Sequence, residues 1–562
     1  MRKVGLIIII IVIASLYWQC NPKPPKTIQN NQTTGFKKNQ YRKEVGRFPD
    51  SEYACDLSPL EAFKKNTTNS KSSHVKIIDI NAPSGCKNWT DCGINSKKYR
   101  HFLIMPGDYR KWGILKIRAS GNAKQSRIIS YYNPKLNKPY EEKLPINTPL
   151  SAQHHVILEA FDIVEADHWI LNGLTFSGNS EKNKRGKIGG RFSRFAVKAN
   201  HNIINRCLFE GVVNYPSNIR ISFSDYNCIQ NSVVRNLIGD DQVGILLKGE
   251  KSRAIGNRII NNEIYDCNDG IQLTYMSAFA PNGYLSGTII ENNDIYLTPK
   301  AYSKQKPGFA CAENAIDIKI GGESAKPEDV VLILKNRIWG YRPTDTNCGG
   351  SGSLGRGIGL HLQANNIILK DNICFDLPGG INVSNKNLSN TRVAVLNNLF
   401  FDIKRFDKKR KFAPAVSAST DIDIYYNTIK GANTSLLIQS KETSRVQCNT
   451  IIGVPQNIMW KKTKNSRSAL NAWYACKIDE RGVHSHNSRL NMVDNRSDID
   501  KFEDFSFYRK RWTKPEKIVV KNIFPNHQKK ISHISQADNH CGEGGEGDRW
   551  WAKCLKERTP IN

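Results

Sequence analysis

Ile271-Gln-Leu-Thr274, Ile316-Asp-Ile-Lys319 and Ile358-Gly-Leu-His361 repeat one short pattern: aliphatic residues at the first and third positions, polar or small ones at the second and fourth. A period of two is the signature of a strand with one buried face. The pattern recurs upstream in Phe195-Ala-Val-Lys198, Ile219-Arg-Ile-Ser222 and Ile245-Leu-Leu-Lys248, and downstream in Ile381-Asn-Val-Ser384. A small residue stands before five of these runs, at Gly244, Gly270, Ala315, Gly357 and Gly380. Stacked in register, the first and third positions face a core and the second and fourth face outward.

A second repeat sets the period. Asn172, Asn205, Asn231, Asn262, Asn293, Asn336, Asn397, Asn427 and Asn449, with Asp371 in the same register, each precede an apolar position by two residues. Their steps scatter around about thirty residues, the range of solenoid repeats. Asn tolerates left-handed turn geometry, and its amide can bond the same amide one coil away, so the series predicts an asparagine ladder. A β-propeller would need four strands per repeat and its own signature residues, which are missing. The fold class is therefore all-β, a right-handed parallel β-helix with an irregular C-terminal extension.

With these repeats and the coil Trp169-Ile-Leu-Asn-Gly-Leu-Thr-Phe-Ser-Gly178, the chain from about Val75 to Gly453 resembles the pectate lyase-like superfamily of right-handed parallel β-helix proteins, which includes the chondroitinase B-like lyases. That resemblance implies the fold. The fold itself hosts lyases, hydrolases, epimerases and structural coils, so activity has to be argued from the site.

The remaining segments follow from composition. Arg2 and Lys3 precede an apolar run from Val4 to Trp18, as in an export signal, and the run is short for a membrane span. Cys20 follows at once, which leaves three outcomes open: lipidation at Cys20, an uncleaved anchor, or a cleaved secretory signal. Residues 1–20 are thus read as the export signal or anchor, 21–50 as a disordered basic tether, 51–170 as an N-terminal cap with the first coils, 171–460 as the central coils and 461–562 as a C-terminal cap or extension. The expected location is the periplasm or cell surface, membrane attachment resting on Cys20 or an uncleaved signal, and the expected state is a monomer.

Lys and Arg number 82 against 51 Asp and Glu, a formal charge of +31, which favours polyanionic partners. Export argues against nucleic acid and leaves an acidic polysaccharide as the expected partner. Fourteen cysteines in an exported chain predict disulfides, with Cys86–Cys92 and Cys541–Cys554 the easiest by sequence distance. Cys207, Cys374 and Cys448 lie in apolar patterns and read as packed thiols. No Cys/His spacing resembles a zinc site.

Stacked parallel strands lie about 4.8 Å apart, so outward positions form columns. One column reads Ala196, Arg220, Leu246, Gln272, Asp317, Gly359 and Asn382; its neighbour reads Lys198, Ser222, Lys248, Thr274, Lys319, His361 and Ser384. Lys248, Gln272, Asp317, Lys319 and His361 gather in the middle, and a merely solvated polar face is the bland alternative. The long insertions Thr298 to Ala312 and Arg342 to Arg356 lead into the Lys319 and His361 strands, as loops walling a groove do. Cys311 and Cys348 on those insertions are either a disulfide or two separate thiols.

Cleavage of a uronate polymer by β-elimination needs a base for the C5 proton, a positive group for the carboxylate and a proton for the leaving oxygen. In the superfamily the base is commonly a Lys or Arg on such a strand, so the resemblance implies Lys319, whose pKa neighbouring cations would lower. His361 is the competing base or proton donor, Asp317 the third member of the catalytic group, and Gln272, Arg220, Lys248 and Arg356 the substrate-binding set. Several of these lyases use calcium, and Glu313, Asp317 and Asp269, with Asp240 and Asp241 nearby, offer suitable oxygens. Turn formation is the competing reading for Asp240, Asp241 and Asp269, and the family's spaced pair of glutamates ahead of the Lys is missing.

Three rivals remain. Gly239-Asp-Asp241 and Asn268-Asp-Gly270 look like fragments of the polygalacturonase pattern, a hydrolase with paired carboxylates, but Gly355-Arg-Gly357 stands where its His motif is expected. An alginate epimerase would carry an Asp-Pro-His-Glu motif, which is missing. A non-catalytic surface β-helix would bind anionic glycans through basic runs such as Lys182 to Lys187 and Lys404 to Lys411.

Overall fold

The computed structural model describes residues 51–474 except 52, 67–73, 84, 134–137, 140–149, 179–192, 212–216, 238–241, 250–253, 276–284, 299–312, 343–354, 385–391, 407–411, 440–443, 448, 453, 455–458, 461–466 and 470–471. The signal and tether, Cys311, Cys348, Cys448, Cys541 and Cys554, the Lys182 to Lys187 run, Asp240, Asp241 and the C-terminal extension beyond residue 474 therefore lie outside the described residues, as do most of both insertions.

Three long sheets of 15, 13 and 12 strands carry nearly all the regular structure, and each coil of the chain gives one strand to each sheet. Among the described residues, apart from one antiparallel pairing of Lys138–Pro139 with the strand Arg127–Asn133, the strand pairs are parallel, which makes the molecule a right-handed parallel β-helix. A parallel pair needs a crossover, and here the other two sheets supply it. The core is the column of inward aliphatic side chains. Ile219, Ile245, Ile271, Ile316, Ile358 and Ile381 stack on one another, as do Ile221, Leu247, Leu273, Ile318, Leu360 and Val383, all buried. The small residue ahead of each run has a steric cause: a Cβ on Gly270 would stand 2.5 Å from the carbonyl oxygen of Ala315 in the next coil.

The asparagine repeat resolves into three adjacent columns. The buried ladder runs Asn262, Asn293, Asn336, Asn372, Asn398, Asn427 and Asn449, each side-chain Nδ2 donating to the next Oδ1 at 2.9–3.0 Å. Asn231, Asp371 and Asn397 occupy the preceding turn position with positive φ, and Asn172 and Asn205 sit one residue earlier still, in register with Gln230. The single expected register is thus corrected: Ser232, Asn372 and Asn398, and not Asn231, Asp371 and Asn397, belong to the inner column. The hydrophobic spacing identified the turn but could not separate neighbouring positions within it.

Cys86–Cys92 is bonded as expected, and Cys207 and Cys374 are buried thiols. A second disulfide, Cys55–Cys228, joins residues separated by 173 positions. It fastens the segment from Ser51 through helix α1 (Ser58–Asn66) against the outward side of the 15-stranded sheet, where Leu60 and Phe63 pack on Leu103, Ile128 and Ile170. Among the described residues no helix is long and apolar enough to cross a membrane.

Candidate active site

Six consecutive strands of the 12-stranded sheet carry the outward columns: β1 (Ser217–Ser222), β2 (Val243–Gly249), β3 (Asp269–Tyr275), β4 (Asn314–Ile320), β5 (Arg356–Gln363) and β6 (Ile381–Ser384). Their register places Arg220, Leu246, Gln272, Asp317, Gly359 and Asn382 side by side, as the alternation predicts. One member is corrected. Arg194, and not Ala196, stands beside Arg220, because Phe195 pairs with Ile221 and the strand ends at Ala196. Val197 and Lys198 have left the sheet with positive φ and are exposed, so neither continues the alternation.

The second column is interrupted where it matters. Between β4 and β5 the register shifts between Ile318 and Ile320, so that His361 and Leu362 together stand opposite Lys319. Leu362 takes φ 59° and is exposed. Such a bulge re-aims a side chain out of its column, and here the His361 ring meets the Asp317 carboxylate through Nε2.

Asp317 is the hub. Its side chain is fully buried, at 0% exposure, while Lys319 and His361 retain 26% and 24%. Oδ1 faces His361 Nε2; Oδ2 lies 3.2 Å from Lys319 Nζ and accepts a hydrogen bond from Gln272 Nε2 at 2.9 Å. Burial alone would raise the Asp317 pKa, but His361 and Lys319 outweigh it and hold the carboxyl below its ordinary value. An ionised carboxylate at Nε2 keeps the proton of a neutral imidazole on that nitrogen and leaves Nδ1 as the acceptor.

Beneath lies Asp269, also buried, whose Oδ2 accepts from the same Gln272 nitrogen at 3.0 Å and whose Oδ1 accepts from Asn314 N at 3.0 Å. Burial, then the charges of Asp317 and Glu313, push its pKa well above the usual carboxylate range, the opposite direction to Asp317. Lys319 departs from expectation. Burial would lower its pKa, but Asp317 foremost among its neighbours raises it, and the ammonium is held as a cation. The expected lowering by neighbouring cations is overturned because the nearest charge is an anion.

The other candidates are spread along the sheet. Arg220 is three coils from Asp317, roughly 14 Å at the usual strand spacing, and its Nε donates to Ser222 Oγ at 2.9 Å. Lys248 lies opposite Thr274 in the neighbouring column, and Arg356 opens β5 opposite Asn314. Neither Arg220 nor Lys248 shares the immediate surroundings of Asp317. Among the described residues no three His, Cys, Asp or Glu side chains are arranged to hold a metal ion. The oxygens of Asp317 face His361, Lys319 and Gln272, and those of Asp269 accept from Gln272 and Asn314.

One residue escaped the sequence reading. The Asn314 side-chain oxygen is buried with no hydrogen-bond partner, and a Cβ on Gly359 would stand 2.7 Å from it. Glycine in the Asp317 column therefore makes room for that carboxamide. The signal was present as a lone Gly among polar outward positions.

No family model and no curated protein matches the sequence. Among solved structures, an alginate lyase from Paenibacillus sp. str. FPU-7 is 14% identical with a TM-score of 0.33, covering 58% of this chain and 95% of its own. A GH136 lacto-N-biosidase from Eubacterium ramulus is 10% identical with a TM-score of 0.41, covering 73% and 69%. PfbA, a surface adhesin of Streptococcus pneumoniae, is 11% identical with a TM-score of 0.35, covering 77% and 91%. A lyase, a hydrolase and an adhesin at this distance do not choose among activities.

Proposed function

We propose that the protein is an exported lyase that cleaves an acidic, uronate-containing polysaccharide by β-elimination on the outward face of β3 to β5. His361, oriented by Asp317, takes the C5 proton through Nδ1. Lys319 meets the uronate carboxylate and stabilises the negative charge that develops there. The C5–H electron pair becomes the C4–C5 double bond as the C4–O bond breaks, and the imidazolium returns the proton to the departing oxygen. No step uses a metal.

The observation that carries this reading is the division of exposure. His361 and Lys319 reach the surface, whereas Asp269 and Asp317, at 1% and 0%, do not. A hydrolase needs two carboxyl groups in contact with the glycosidic oxygen and a water, and the burial of Asp269 and Asp317 does not suit that pair to the role. Disulfides among the described residues accord with export.

The test is incubation with uronate polymers while following the ultraviolet absorbance of a 4,5-unsaturated product. The expected result is an absorbance rise that His361→Gln abolishes. New reducing ends without absorbance would replace the lyase by a hydrolase; binding with neither would leave a glycan-binding surface protein.

A further inference from the structure

The 12-stranded sheet carries a second charged cluster that the elimination does not use. Asp162, on the strand Phe161–Val164, lies in the same outward column as Asp317. Asp162 pairs with Arg194, Arg194 with Arg220, Arg220 with Leu246, Leu246 with Gln272 and Gln272 with Asp317. Five steps of strand spacing put the two acids roughly 24 Å apart along the solenoid.

The Asp162 side chain is 8% exposed, yet its oxygens hold two guanidinium groups that are themselves open: Arg118 Nη2 at 2.7 Å and Arg194 Nε at 2.6 Å, with side-chain exposures of 40% and 46%. Arg118 Nη1 also donates to the carbonyl oxygens of Ile117 at 2.8 Å and Asp162 at 2.6 Å. A guanidinium has five N–H donors, and these contacts use only part of each set. One buried anion thus fixes two surface cations and leaves a net positive charge. Such planar, pre-oriented forks suit a carboxylate. On the opposite side of Asp317 the column continues through Gly359, Asn382 and Ser417, all uncharged, so within this column the cations lie to one side of Asp317.

We infer that Arg118 and Arg194, held by Asp162, form a distal subsite for a carboxylate of the same polysaccharide chain whose reacting residue lies at Lys319, an inference that rests on the proposed function. The polymer then runs from the site toward the N-terminal coils and is gripped again five coils away.

The test uses the full chain carrying Arg118→Gln, Asp162→Asn and Arg194→Gln together, which removes both cations without stranding a buried charge. Binding of sodium alginate and of polygalacturonate is measured by calorimetry with neutral dextran as control, each chain also carrying His361→Gln so that no turnover intervenes, and cleavage is measured separately with His361 intact. Affinity for a charged polymer should fall about tenfold, with KM for that polymer rising in parallel at unchanged kcat. KM for a uronate trisaccharide, too short to span the two sites, should not move. Arg194→Gln alone, which keeps Asp162 paired with Arg118, should give a smaller loss in the same direction and covers the case in which the triple variant does not fold. Polymer affinity equal to wild type in a folded variant overturns the subsite, as does a wild type that binds neither polymer. Cleavage with unaltered affinity would remove the subsite and keep the lyase; lost affinity without any cleavage would keep the subsite and remove the lyase.

Discussion

At the scale of single residues, Asp317 decides what the site can do. It touches both Lys319 and His361 from a buried position, so in the proposed mechanism its effect on chemistry passes through those two groups. Asp317→Asn keeps the shape and removes the charge. The imidazole then loses the acceptor that fixes its tautomer, and Lys319 loses the anion that most raises its pKa. We expect kcat on a uronate polymer to fall by a factor on the order of 10²–10⁴, with a stability loss of about 1–3 kcal/mol for the weakened buried hydrogen bonds. Steady-state kinetics alongside thermal melting checks this, and a folded variant with wild-type kcat would remove Asp317 from the mechanism. Lys319, Asp317 and His361 were legible as a group because all three stand on strands whose alternation is regular up to that point. Their mutual charge state was not, since alternation says which way a side chain points and nothing about which neighbour lies closest. The bulge at His361 and Leu362 was equally hidden, because Leu362 is an apolar residue in an apolar phase.

At the scale of elements, the turn between successive sheets holds the coils in register. Asn336 shows how. Its Oδ1 accepts from both the backbone N–H and the Nδ2 of Asn293, and its Nδ2 donates to Asn372 Oδ1 and to the carbonyl of Ile290, all at 2.9–3.0 Å. Asn336→Ala leaves these buried partners unpaired, each at a cost of about 1–3 kcal/mol. Because some partners can relax toward one another, we expect a total loss of roughly 3–5 kcal/mol in the coils around residue 336. Hydrogen exchange should show faster opening of the backbone amides at 293 and 336, and unchanged protection there would mean that the ladder is ornamental. The period of this ladder was readable because Asn recurs at every turn. Its column was not, because positions on either side also favour Asn: the one before the ladder takes positive φ at Asn261 and Asn292, a geometry that Asn tolerates well. The Phe195 run misled for a related reason, since its alternation continues in sequence through Val197 after the backbone has turned out of the sheet.

At the scale of the whole molecule, a solenoid is held only between neighbouring coils, and the segment from Ser51 to Asn66 is the exception. It runs across the outward side of the 15-stranded sheet from the Glu291 strand to the Leu103 strand. Along that path Ser51 Oγ meets Glu291, Tyr53 packs on Ile260 and Ile289, Cys55 is bonded to Cys228, and Phe63 lies against the His101 ring at 4.1 Å. The strap is pH-sensitive at His101. Burial first, then Arg100 and His74, lower its pKa from 6.5 to about 4. The unfolded chain therefore binds this proton near pH 6.5 and the folded one only near 4, so the contribution of His101 to stability is constant above that window and falls as pH drops through it, by up to about 3 kcal/mol. Melting temperatures measured from pH 7.5 to 4.5 should decline, and His101→Gln should flatten part of that slope; an unchanged slope would clear His101. The covalent link bears on cooperativity as well. Replacing both Cys55 and Cys228 by Ser removes a cross-link that closes a loop of 173 residues, and we expect a loss of about 2–4 kcal/mol. If stability passed evenly through the stack, every coil would lose protection together. If the strap ties distant coils, the loss should concentrate where it lies: amides of residues 101–104 and 127–133 should exchange sooner, while those of β4 and β5 keep their protection and the site keeps its kcat. Hydrogen exchange by mass spectrometry on the double variant separates the two outcomes, and a uniform loss would show that the strap merely rests on the solenoid.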